Sequence, residues 1–64
     1  MDIGEFIRAL RQELCYSQAD LANAVGVTEQ TVRRWEHNES FPHYAARRKL
    51  NHLCENTPLK MRIK

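Results

Sequence analysis

The chain has 64 residues and a mass of 7.6 kDa, enough for one small domain and too little for the second, substrate-binding domain that many enzymes carry. Hydrophobic residues make up 42% and charged residues 28%, which supports a small core and leaves no apolar run near the length of a membrane span. Two bases stand against five acids up to Val32 but eight against three from Arg33 onward, so the net charge of +2 conceals a basic C-terminal half suited to a polyanion or to an acidic protein surface.

The opening Met1-Asp2-Ile3-Gly4-Glu5 lacks the basic-then-apolar pattern of a secretory signal, and Cys15 and Cys54 alone make a poor disulfide framework. A reduced, cytoplasmic setting is expected. Gly and Pro occur only twice each, so breaks are few and the chain reads as all-α.

Between Gly4 and Leu14 the set Ile3, Ile7, Leu10 and Leu14 recurs at helical spacing and predicts the first helix. Ser17 then offers a hydroxyl cap, with Asp20 three residues on to complete a capping box, for a second helix from Gln18 to Val25. Gly26 ends it in a tight turn. Thr28 caps a third helix that opens on Glu29 and Gln30 and runs to about His37, where Asn38 suits a left-handed C-terminal stop. Pro42 restarts the chain, and Ala46, Leu50 and Leu53, with Cys54 beside them, predict a fourth helix from His43 to about Asn56, with Arg47 and Arg48 turned away from the core. From Leu59 to Lys64 apolar and basic residues alternate, which reads as a short strand or a frayed arm. The predicted organisation is a domain over residues 1–56 and a tail over 57–64.

Only Gly26-Val27-Thr28 joins the second and third helices, which suits a helix-turn-helix. Counting from Gln18, the small Ala22 falls where the helices approach closely, and Leu21, Val25, Val27, Val32 and Trp35 occupy inner positions. The outward side chains of the third helix are then Glu29, Gln30, Arg33 and Arg34. Arginine can bond both acceptors on a guanine edge, glutamine can pair with adenine, and glutamate can accept from cytosine. Glu29 has a second reading, as an acid that complements the helix dipole. Gln18, with a donor amide beside a free helix N-terminus, is read as a phosphate contact rather than a merely solvated side chain.

These residues resemble the Cro and repressor (XRE) family of phage and bacterial helix-turn-helix proteins. The marks are Ile3-Gly4 with Ile7 and Arg11, Ser17-Gln18 with Leu21-Ala22, Val25-Gly26-Val27-Thr28, Val32, Trp35-Glu36, and Pro42 with Leu50 and Leu53. The resemblance implies a bundle of four or five helices, with the third in the DNA major groove and the residues matching Glu29, Gln30 and Arg34 facing bases. It also implies that Arg11 and Glu36 form a structural ion pair. With this fold, Gln18, Thr28, Thr31, Arg33, His43, Arg47 and Arg48 are the expected DNA-backbone contacts. The chain departs from the family pattern at Cys15 and Tyr16, where glycine and leucine are usual, and at Glu39, where relatives often carry bases. The usual fifth helix also has no counterpart, because Pro58 and the alternating tail stand in place of its apolar pattern.

Other signals carry less. His52, Cys54, Cys15, His37 and His43 have no paired ligand spacing, so no metal or other cofactor is expected. Ser17, Ser40, the histidines and the scattered acids assemble no nucleophile with a base, so the chain is not read as an enzyme. Trp35 belongs to the core rather than to a stacking platform, and Cys54 reads as a packed thiol. Arg47-Arg48-Lys49 suits phosphate, solvent or an acidic protein, in that order.

The expected function is a sequence-specific double-stranded DNA-binding transcriptional regulator, a repressor by preference, acting as a homodimer on a palindromic operator without a small-molecule effector. It would be cytoplasmic and nucleoid-associated, from a bacterium or a phage. The alternative is a small protein-interaction module of the antitoxin or adaptor kind, against which the polar outward face of the third helix argues.

Overall fold

The computed structural model describes residues 2–55 and 57. Four helices and no strand are found among them: α1 (Ile3–Leu14), α2 (Gln18–Val25), α3 (Glu29–Glu36) and α4 (Tyr44–Glu55). The expected tail strand, and the choice between it and a fifth helix, lie outside the described residues, as does Asn56.

Local chemistry sets each helix end. Asp2 caps α1 by accepting from the Glu5 amide at 2.8 Å, and Ser17 and Asp20 exchange bonds of 3.0 Å each in the capping box that starts α2. Thr28 accepts from the Thr31 amide at the start of α3. Three left-handed residues close the first three helices: Cys15 (φ 58°), Gly26 (φ 83°) and Asn38 (φ 60°). After α3 the Asn38 amide donates to the Trp35 carbonyl and the Glu39 amide to that of Arg34, the paired bonds of a Schellman turn. His37 is thus the cap of α3 and not its last turn.

α3 packs against both α2 and α1, and α4 packs on α2. Ile7, Leu10, Leu21, Val32 and Leu50 are fully buried at the centre, each worth roughly 1.5–3 kcal/mol of apolar burial. Ile3, Phe6, Ala22, Val25, Trp35, Ala46 and Cys54 complete the core. Phe6, one position before Ile7, shares the buried stripe of α1, whereas Leu14 lies at the core's edge. Val27 and Leu53, expected inside, are only half-buried and pack against the cluster from its rim. Arg47, expected to point outward, is half-buried as well.

Candidate nucleic-acid interface

α3 is amphipathic in the sense the sequence predicts. Val32, Trp35 and Glu36 face inward, and Glu29, Gln30, Arg33 and Arg34 are exposed. At 1.5 Å per residue its eight residues span about 12 Å along the axis, and a helix of about 10–12 Å diameter with its side chains fits the width of a B-DNA major groove. Gln30 and Arg34 stand one turn apart and make no side-chain hydrogen bond or ion pair among the described residues, so their donors face solvent. Glu29 instead pairs with Arg33 at 3.8 Å. With both side chains more than half exposed, that i,i+4 pair is weak, about 0.3–0.5 kcal/mol, and can open in favour of an anion or a base edge. Thr28 and Thr31 share a hydroxyl–hydroxyl bond of 2.9 Å on the exposed N-terminal turn of α3.

Behind this face lies a buried carboxylate. Glu36, at the last position of α3, is 6% exposed. Arg11 donates to it through Nε at 2.5 Å and through a terminal nitrogen at 3.1 Å, a two-point grip from α1. The same guanidinium donates to the Tyr16 carbonyl at 3.3 Å, so it also holds the turn into α2. Gln18 donates its side-chain amide to Glu36 Oε1 at 3.1 Å, the oxygen that also accepts from the terminal Arg11 nitrogen. The residue expected to grip phosphate is therefore tied to the carboxylate that holds α1 and α3 together. One amide hydrogen and the amide oxygen of Gln18 remain outside that bond.

Two further ties join α1 to the end of α3. Arg8 donates to the Glu36 carbonyl at 2.8 Å, and the Gly4 amide donates to Asn38 Oδ1 at 3.0 Å. Gly4 is needed there because a Cβ would overlap the Glu36 carbonyl oxygen. Sequence reasoning placed Asn38 as a stop signal and Gly4 within a family motif, but it had no signal for a bond between residues 34 apart.

The remaining expected DNA-backbone residues lie around the loop after α3 and on α4. His43 and Arg48 are exposed, and the Arg48 guanidinium lies over the Tyr44 ring at 5.7 Å. Phe41 and Tyr44 are exposed aromatics flanking the buried Pro42. Cys15 is exposed and Cys54 buried, neither in a disulfide, and among the described residues no group of three or more His, Cys, Asp or Glu could hold a metal ion. No helix of the described residues is long and apolar enough to cross a membrane.

With α2, a left-handed glycine turn and an outward-facing polar α3, the geometry is that of a helix-turn-helix. A family model described as helix-turn-helix matches residues 7–42, more than half of the chain, and the chain belongs to that family, in its Cro/XRE form. It is accordingly a DNA-binding regulator whose partner is double-stranded DNA, in a family that is not enzymatic. Comparison with curated proteins and with solved structures returns no match.

Proposed function

We propose that the protein is a transcriptional repressor that occupies an operator by laying α3 in the major groove. Arg34 and Gln30 read base edges, with Glu29 as a third reader once it leaves Arg33. Gln18, Thr28, Thr31, Arg33, His43, Arg47 and Arg48 hold the sugar–phosphate backbone. The observation that carries this reading is the pair Gln30 and Arg34: exposed, one turn apart, unengaged by other side chains among the described residues, and borne on a helix fixed from behind. Their chemistry matches the adenine and guanine major-groove edges.

On this reading the operator is a palindrome bound by a homodimer, with recognition helices about 34 Å apart to match one turn of DNA. The setting is the cytoplasm of a bacterium, with the chain host- or phage-encoded, and no small-molecule effector acts. The exposed Phe41 and Tyr44 favour a second reading, in which the domain docks on another protein. Selection of random duplexes with the purified chain separates the two. Enrichment of one palindromic motif supports the operator reading, whereas recovery of no motif overturns it.

A further inference from the structure

The C-terminus of α3 is held by α1 at points that no DNA-facing side chain shares. The Asn38 Oδ1 accepts from the Gly4 amide, and Arg8 donates to the Glu36 carbonyl. From this we propose that Asn38 is a positioning residue for DNA readout, fixing the angle of α3 in the bundle through its bond to the first turn of α1. The inference rests on the operator reading above and adds to it the device that aims the recognition helix.

Asn38 does two things at once. Its left-handed backbone ends α3, and its side chain satisfies an amide that the start of α1 would otherwise leave without a helical partner. The carbonyl end of α3 thereby meets the amide end of α1, an attractive alignment of helix termini. Gly4 permits the approach, since any Cβ there would strike the Glu36 carbonyl.

The bonds from Arg8 and Arg11 all converge on Glu36, so by themselves they form one pivot about which α3 can swivel. The bond from the Gly4 amide to Asn38, two residues farther along, is the second point that restricts that rotation. The restriction matters because a swivel of roughly 10° over a helix about 12 Å long moves its far end by about 2 Å. Hydrogen bonds to base edges do not survive such a displacement, whereas long basic side chains can still follow phosphates. Loss of the tie therefore lowers discrimination between sequences and leaves sequence-independent binding in place.

The test measures binding of the full chain to its selected duplex and to a scrambled one at a single salt concentration, with folding checked by circular dichroism. Asn38→Gly keeps the left-handed backbone and removes the side-chain acceptor. Its ratio of selected to scrambled affinity is expected to fall by roughly fivefold, the order that one hydrogen bond supports, with scrambled binding unchanged. Asn38→Asp, which keeps the acceptor, is expected to restore the ratio. Arg8→Gln, on an exposed side chain that leaves the core intact, makes the same test from α1 and is expected to lower the ratio too. A ratio preserved in Asn38→Gly, beside a discriminating wild type, overturns this inference alone, whatever Arg8→Gln does. A wild type that binds both duplexes equally overturns the operator reading and this inference with it.

Discussion

Replacing Arg11 by methionine is expected to be among the most damaging single changes to the fold. The Glu36 carboxylate is 6% exposed and accepts three hydrogen bonds, two of them from Arg11. Arg11→Met leaves that charge buried with Gln18 as its remaining side-chain donor, and also frees the Tyr16 carbonyl. Stranding a buried charge in this way costs on the order of 3–5 kcal/mol. A 64-residue domain has a total stability of about 3–10 kcal/mol at the usual value per residue, so this one substitution can remove most of it. Glu36→Gln is milder, at about 1–2 kcal/mol, because Arg11 is 24% exposed and can regain water, while Gln18 can turn its amide to suit the new partner. In the double mutant no buried charge is left stranded, so its cost falls short of the sum of the single costs by about 2 kcal/mol. Denaturant unfolding followed by fluorescence of Trp35, the single tryptophan and 2% exposed, supplies all four stabilities. Additivity within about 0.5 kcal/mol would mean that the two charges do not need one another and that no buried pair exists.

Gly4→Ala drives a methyl group into the Glu36 carbonyl and is expected to lose about 1–3 kcal/mol in the same assay, despite alanine's better helix propensity. Cys15→Gly relieves an exposed, non-glycine residue held at φ 58° and is expected to gain about 1 kcal/mol, seen as a rise of about 4–8 °C in melting temperature. The hydrogen bond from the Glu5 amide holds the Asp2 carboxyl below its ordinary value of 3.8. The cap's contribution is therefore complete above that value and declines as pH falls through the lower folded-state pKa. Asp2→Asn, which still caps, should remove this part of the acid-side loss, as pH-dependent unfolding would show.

Features with a local cause were legible in the sequence. Ser17 with Asp20 and Gly26 gave α2 its bounds at Gln18 and Val25, and Asn38 marked the stop after α3, because capping and left-handed turns depend on residues within a few positions. The outward set on α3 followed from helical period alone. Features that depend on tertiary approach were less visible. Phe6 joined the core because the buried face of α1 is wider than one residue per turn. Cys15 has no intrinsic preference for the left-handed region and takes it because the chain must turn there, with the Cys15 and Tyr16 amides donating back to Gln12 and Arg11. The family resemblance led to Arg11 and Glu36, but not to the bonds from Gln18 and Arg8 that converge on the same residue. A side chain's partner 18 or 28 residues away leaves no periodic trace.

Base reading by α3 is probed most sharply at Arg34, which is exposed on that helix and takes no part in the buried carboxylate's bonds. Binding of wild type and Arg34→Ala to the selected duplex and to a scrambled one, at one salt concentration, measures it directly. A base contact at Arg34 predicts a loss of about 1–3 kcal/mol on the selected duplex and a much smaller loss on the scrambled one. An equal loss on both duplexes would contradict it, because Arg34 would then be no more than a phosphate contact.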